Sequence, residues 1–173
     1  MFVLDSHCDT PSQIHRLRDL SLDNEFAHVD FPKLKKGGVD GAFFALYIPA
    51  DLDVAAAREY MMCLLEDVRR TVSDNADKAT LTISHSQALQ NKTDGRFSVF
   101  LGLENGSPLG EGDEAFEMLR SLYVKGVRYI TLCHSRDNQI CDSCASKSPK
   151  WGGLSPFGKQ LIAEMNRMGM LVD

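Results

Sequence analysis

The chain has 173 residues, of which 43% are hydrophobic and 25% are charged, and its formal net charge is −5. These values are ordinary for a globular protein and allow one domain with a sizeable core. Lys and Arg are neither in excess nor clustered, so the composition gives no support to a nucleic-acid or anionic-membrane partner. No apolar run approaches the roughly 20 residues that a transmembrane segment needs.

The cysteines and the N-terminal segment bear on the cellular compartment. The cysteine count of five is odd, which argues against a closed set of disulfides and favours a reducing compartment. The segment after Met1 has neither the basic region nor the small-residue cleavage site of a signal peptide, although a mature chain that had lost its leader would look the same. The cytoplasm is therefore favoured, and the localisation stays open.

The first half of the chain predicts two strands and two helices. Apolar runs rich in β-branched or aromatic residues predict strands over residues 2–4 and 39–48. Asp53 caps a helix whose apolar residues recur at spacings of three and four. Ser84, with Gln87 three residues later, fits the capping box of a second, shorter helix.

The second half predicts three more strands. Residues 97–103 form a strongly apolar run, and Asp113 begins the helix that follows it. The fourth strand covers residues 127–133. The last helix begins after Ser155 and ends at Gly169, and a fifth strand starts directly afterwards.

The alternation of strands and helices predicts an α/β protein with parallel pairing and right-handed crossovers. Two architectures fit: an open doubly wound sheet, or about five-eighths of a (β/α)₈ TIM barrel, since a complete barrel usually needs about 250 residues. The chain stops inside the fifth predicted strand, where ladder groups would be left unpaired. We therefore interpret residues 1–173 as the N-terminal portion of a single barrel domain. Residues 134–154 show no periodicity, and such long stretches are often functional.

His7 and Asp9 are the first candidates for a site. Strand residues two apart point to the same side, so these side chains can reach one ion. They lie at the C-terminal end of the first strand, where barrel active sites form, and imidazole and carboxylate are typical zinc ligands. The alternative is a polar strand end that enters a turn at Pro11.

Glu104 and His134 follow the third and fourth predicted strands. Glu104 can bridge two metal ions at such a position, or it can be a solvated residue before a turn. For His134, a metal ligand, a substrate-polarising imidazole and a core histidine all remain open. Since the first, third and fourth strands each end in His, Asp or Glu, a shared site is favoured over coincidence.

Two other patterns do not carry a site. Residues 153–159 have the spacing of a phosphate loop, but Gln160 stands where Ser or Thr would bind magnesium, and Pro156 lacks a backbone N–H. Cys141 and Cys144 have no second cysteine pair at zinc-finger spacing, so free thiols or a local crosslink are favoured.

Four segments together resemble the renal or membrane dipeptidases, zinc enzymes among the amidohydrolase-like metal-dependent hydrolases. In order, they are Asp5-Ser-His-Cys-Asp-Thr-Pro11, Gly102-Leu-Glu-Asn-Gly106, residues 126–135 and residues 153–173. The resemblance implies a (β/α)₈ barrel that holds two zinc ions and hydrolyses dipeptides. It also implies that His7 and Asp9 bind the first zinc, that Glu104 bridges the two ions, and that His134 contacts the substrate at the scissile carbonyl.

The family also uses two further histidines for the second zinc and a late acidic residue, and the resemblance does not find them within these 173 residues. We therefore expect this chain alone to bind zinc poorly and to lack dipeptidase activity. Its expected partners are the dipeptide substrate and either the rest of the barrel or a second copy. The alternatives are another amidohydrolase-type metal hydrolase and a non-catalytic barrel that has lost its metals.

Overall fold

The computed structural model describes residues 1–16 and 18–173, which divide into two compact units. The first unit consists of Met1–Leu46 and Cys63–Leu101, and the second of Tyr47–Met62 and Gly102–Asp173. Three elements contribute to both units: the strand β2 (Gly41–Tyr47), the helix α3 (Val54–Asp74) and the strand β4 (Phe97–Glu104).

The first unit holds the N-terminal strands with their helices. Its elements are β1 (Leu4–Cys8), α1 (Thr10–His15), α2 (Phe31–Lys36), almost all of β2 (Gly41–Tyr47), the end of α3, β3 (Ala79–Leu81), α4 (His85–Thr93) and the start of β4. β1 pairs in parallel with β2, and β3 pairs in parallel with β4. The strand order is β1-β2-β4-β3.

The second unit contains the later strands. After β4 come a 3₁₀ turn (Ser107–Leu109), α5 (Asp113–Val124), β5 (Val127–Thr131), α6 (Pro156–Met168) and β6 (Leu171–Val172). β5 and β6 pair in parallel, and the strand order is β4-β5-β6. Gly102 allows the ring of Tyr129 to lie directly on β4, because a Cβ at this glycine would be 2.1 Å from a ring carbon.

The predicted helix boundaries are confirmed where local capping sets them. The capping residues Asp53, Ser84 and Ser155 each accept a hydrogen bond from a backbone N–H of the first turn, at 2.9, 3.3 and 2.8 Å. Gly169 ends α6 in the left-handed region with a φ of 73°. The apolar stripe of α3 is fully buried at Ala57, Met61, Leu64, Leu65 and Val68.

Some predicted positions are wrong or incomplete. The first strand was expected at residues 2–4 but spans Leu4–Cys8, because pairing with β2 begins at Leu4, whereas the Val3 N–H donates to the Asp40 carboxylate at 2.6 Å. The short elements α1, α2 and β3 were not predicted. β3 has only three residues, too few for a periodic pattern.

The unpatterned stretch 134–154, all of which the structure describes, contains neither a helix nor a strand. A single antiparallel bridge joins Cys141 to Leu154 and closes the loop. None of the helices among the described residues is long and apolar enough to cross a membrane.

Candidate metal and substrate site

In the first unit, the end of β1 brings His7 and Asp9 together. His7 Nε2 lies 3.5 Å from Asp9 Oδ1, and the two side chains are 36% and 65% exposed. Asp9 occupies the N-cap position of α1, yet its side chain makes no capping hydrogen bond. The carboxylate is therefore paired with the imidazole and is not used to begin the helix.

Space for a ligand lies beside Asp9 in the same unit. A cavity of about 440 Å³ is lined by Asp9 and Cys8 and by residues of the following loop, including Arg18, Phe26 and His28. This volume lies within the range of small-molecule sites. Burial raises the pKa of the Cys8 thiol above its usual range.

In the second unit, the ends of β4 and β5 bring Glu104 and His134 together. His134 Nε2 lies 3.4 Å from Glu104 Oε1. The Glu104 side chain is 12% exposed and the His134 side chain 40% exposed, so the imidazole is open to a ligand while the carboxylate is largely covered. The ring of Tyr47 meets the His134 ring edge-on, with centroids 5.1 Å apart.

The loop 134–154 is ordered by its own acidic side chains. Asp142 accepts hydrogen bonds from the backbone N–H groups of Lys150, Trp151 and Gly153 at 2.7, 2.9 and 2.9 Å. Burial alone would raise the pKa of Asp142, but these donors outweigh it and the pKa is lowered. The Ser143 hydroxyl donates to the His134 carbonyl at 2.6 Å, which ties the loop to the proposed site residue.

Residues 1–173 match the family model described as membrane dipeptidase, peptidase family M19. The chain belongs to the membrane dipeptidase family. Dipeptidase verJ from Clonostachys rogersoniana is 32% identical over 187 residues, an alignment that covers 99% of this chain and 47% of the relative. The chain spans just under half the length of the curated relatives it matches.

Solved structures share the fold of this family member. The probable dipeptidase PvdM from Pseudomonas aeruginosa matches with a TM-score of 0.83 and 22% identity, covering 100% of this chain and 46% of that one. A metallo peptidase from Rhodobacter sphaeroides, liganded with a phosphinate mimic of L-Ala-D-Ala, matches with a TM-score of 0.84 and 20% identity, covering 100% and 58%. The predicted fold class, an α/β chain that forms part of a (β/α)₈ barrel, is confirmed.

The cysteines of this dipeptidase-family chain are free among the described residues, which is one of the two outcomes that the sequence leaves open for Cys141 and Cys144. Burial raises the pKa of Cys141 to about 12, whereas Cys144 is exposed. In the phosphate-loop pattern, the Gly158 N–H donates to the Ser155 hydroxyl at 2.8 Å as part of the cap of α6, so this N–H is not available to a phosphate.

Sequence reasoning missed two amide side chains near the predicted site residues, the buried Asn105 and the half-buried Asn138. Asn105 directly follows Glu104, is 2% exposed and has a φ of 78°. Its Oδ1 atom lies 3.3 Å from Nδ2 of Asn138. In the sequence, Asn105-Gly106 is only the turn that follows Glu104, and the burial of Asn105 distinguishes it from an ordinary turn residue.

Proposed function

We propose that this chain carries part of the active site of a zinc-dependent dipeptidase. The observation that carries the proposal is the Glu104–His134 pair at 3.4 Å, at the ends of adjacent strands in a chain that matches the membrane dipeptidase family throughout. In this proposal His7 and Asp9 are ligands of the first zinc, Glu104 is the ligand shared by both ions, and His134 contacts the substrate.

The donor set fits zinc. Ligand bonds of about 2.0–2.2 Å at a tetrahedral ion separate two ligand atoms by about 3.3–3.6 Å, and His7 Nε2 and Asp9 Oδ1 are 3.5 Å apart. Glu104 supplies a carboxylate with two oxygens, the group that can serve two cations. Nitrogen and carboxylate oxygen are both common zinc donors, which supports zinc over a hard cation such as magnesium.

The chain's own groups have separate tasks in hydrolysis. When bound, the two zinc ions would lower the pKa of a shared water and polarise the peptide carbonyl. The exposed His134 imidazole can donate a hydrogen bond to the oxyanion that develops on that carbonyl. Contact with Tyr47 limits rotation of the imidazole ring, and the covered position of Glu104 limits competition from bulk water.

A dipeptide is the proposed substrate class, because the similar Rhodobacter sphaeroides protein was solved with a phosphinate mimic of L-Ala-D-Ala. A test would express both the 173-residue chain and the complete product of its gene. Zinc content would be measured by mass spectrometry, and hydrolysis would be followed with L-Ala-D-Ala and with its N-acetylated form as the blocked control. Comparison of the two proteins also tests the expectation that the shorter chain lacks activity.

Substitutions then assign the roles. Glu104→Gln should lower bound zinc and reduce hydrolysis by more than the roughly 100-fold that outer-shell changes cost. His134→Ala should retain zinc and reduce kcat about 10²- to 10³-fold, the cost of one oxyanion donor. Glu117→Gln, an exposed change on α5, is the matched control and should change neither value. A complete gene product that holds zinc but leaves L-Ala-D-Ala intact would contradict the proposal.

A further inference from the structure

We propose that Asn105 and Asn138 are positioning residues, whose paired carboxamides hold the ends of β4 and β5 so that Glu104 and His134 keep their mutual geometry. This inference rests on the proposed function of Glu104 and His134. It concerns a hydrogen-bond network that lies entirely within the second unit, and neither amide side chain is a proposed metal ligand or substrate contact.

Asn105 fastens the end of β4 to the residue that follows β2. Its Nδ2 group donates to the Ile48 carbonyl at 3.0 Å, and in return the Ile48 N–H donates to the Glu104 carbonyl at 3.0 Å. Its Oδ1 atom accepts from the Ser107 N–H at 3.2 Å. The peptide unit that carries Glu104 is therefore held on both sides.

Asn138 fastens the end of β5 to the same place. Its Nδ2 group donates to the Leu132 carbonyl at 2.8 Å and to Asn105 Oδ1 at 3.3 Å. The Gly106 N–H also donates to the Leu132 carbonyl, at 3.2 Å. Leu132 precedes His134 by two residues. Its carbonyl therefore joins the backbone before His134 to the backbone after Glu104.

Only asparagine meets both demands at position 105. A φ of 78° disfavours residues other than glycine and asparagine. The side chain must also donate to one carbonyl and accept from two N–H groups, which glycine cannot do and aspartate does only in part. The Oδ1 atom of Asn138 meets a similar demand, since it accepts from the N–H groups of Ile140 and Cys141 at 2.8 and 3.2 Å.

A structural role alone would lower the free energy of unfolding without changing the turnover of the folded enzyme. Asn91 provides the matched control, because it is a buried amide of the first unit, 4% exposed, that donates to Thr82 Oγ1 and Ser98 Oγ at 2.9 and 3.1 Å. Asn91→Ala should therefore reduce stability and leave the kcat of the folded protein unchanged.

The experiment compares Asn138→Asp and Asn105→Gly with Asn91→Ala in the complete gene product. In Asn138→Asp, a carboxylate oxygen replaces the Nδ2 donor and faces the two oxygens that Nδ2 had contacted. In Asn105→Gly, the backbone can keep its positive φ, so this milder variant should fold. We expect kcat at saturating zinc to fall about 10- to 100-fold, the cost of a misplacement on the order of 1 Å. KM should change less than about threefold, because the substrate contacts themselves remain.

A second readout does not need activity. In the 173-residue chain, nuclear Overhauser effects between the Tyr47 and His134 rings report the position of the imidazole, and both substitutions should weaken them while Asn91→Ala does not. Unchanged ring contacts together with unchanged kcat in folded variants would overturn the inference. If the wild-type protein hydrolyses no dipeptide, the proposed function fails, and the ring contacts still decide whether the amide pair positions His134.

Discussion

The two regions that carry the proposed site residues differ in how they hold them. At the end of β1, the side chains of His7 and Asp9 are 36% and 65% exposed, and Asp9 lies just outside the strand, at the N-cap of α1. At the ends of β4 and β5, Glu104 is 12% exposed, and the hydrogen-bonded amides Asn105 and Asn138 and an ordered loop lie around its pairing with His134. The proposed site residues are therefore more exposed at the end of β1 than Glu104 is at the end of β4, where hydrogen-bonded neighbours hold the backbone.

The difference has a consequence for binding. Exposed side chains keep rotamer freedom, and this entropy must be given up when an ion is bound. A side chain whose backbone and neighbours are already fixed loses less on binding, which is the advantage of preorganisation. We expect the end of β1 to respond to a ligand, and the ends of β4 and β5 to be set by the fold itself.

The largest expected contrast between the two regions is in the free energy of unfolding of variants from each. In Gly158→Ala, the new Cβ would lie 2.1 Å from the backbone oxygen of Ile140, where α6 meets the loop. We expect a loss of about 1–3 kcal/mol in the free energy of unfolding, even though alanine is favoured over glycine in a helix by about 1 kcal/mol. His7→Ala should change the free energy of unfolding by no more than about 0.5 kcal/mol from the wild type, as substitutions of exposed residues usually do.

Urea denaturation of the two variants and the wild type measures this contrast. Equal losses at Gly158 and His7 would break the comparison, because they would show that the end of β1 is as firmly integrated as the loop beside β5. Gln160→Ala, an exposed change on the same helix, is the control for α6 and should have little effect.

An effect of intermediate size is expected for the hydrogen exchange of backbone amides in the loop 134–154. Asp142→Asn removes the charge that attracts three backbone N–H groups and leaves an amide that competes as a donor. We expect hydrogen exchange at Lys150, Trp151 and Gly153 to accelerate at least about tenfold at pH 7, the factor that corresponds to 1.4 kcal/mol of local opening. Asp113→Asn carries the same charge change on an exposed residue and should leave these amides protected. Unchanged exchange in Asp142→Asn would mean that other contacts order the loop.

The contrast between the regions also explains what the sequence could predict. Helix starts and ends at Asp53, Ser155 and Gly169 depend on neighbours within one turn, so their residue types are sufficient. His7 and Asp9 are also near neighbours in sequence, although Asp9 lies at the N-cap of α1, directly after β1 ends at Cys8. The contact between the amides of Asn105 and Asn138 joins residues far apart in sequence, and no local pattern encodes it. Asn105 and Asn138 are separated by 33 positions.

The smallest expected effect concerns surface charge in the second unit. Glu164 on α6 lies 2.7 Å from Arg167 and 3.2 Å from Arg120 on α5. Hydrogen bonding by Arg167 lowers the pKa of Glu164 to about 2 from its ordinary value of 4.5. Because the folded-state pKa is lowered, the ion pairs stabilise the fold fully above pH 4.5, and this contribution is lost as the pH falls toward 2.

Glu164→Gln should therefore unfold more easily than the wild type at pH 6, and the difference should shrink when both are measured at pH 4, 3 and 2. Both arginines are at least half exposed, so water and salt screen the pairs, and 0.5 M salt should reduce the difference at pH 6 as well. Glu117→Gln controls for the loss of one negative charge on the neighbouring helix. A difference in unfolding free energy that persists at pH 2 would mean that Glu164 acts through packing. Charge at the α5–α6 contact would then not contribute to the stability of the second unit.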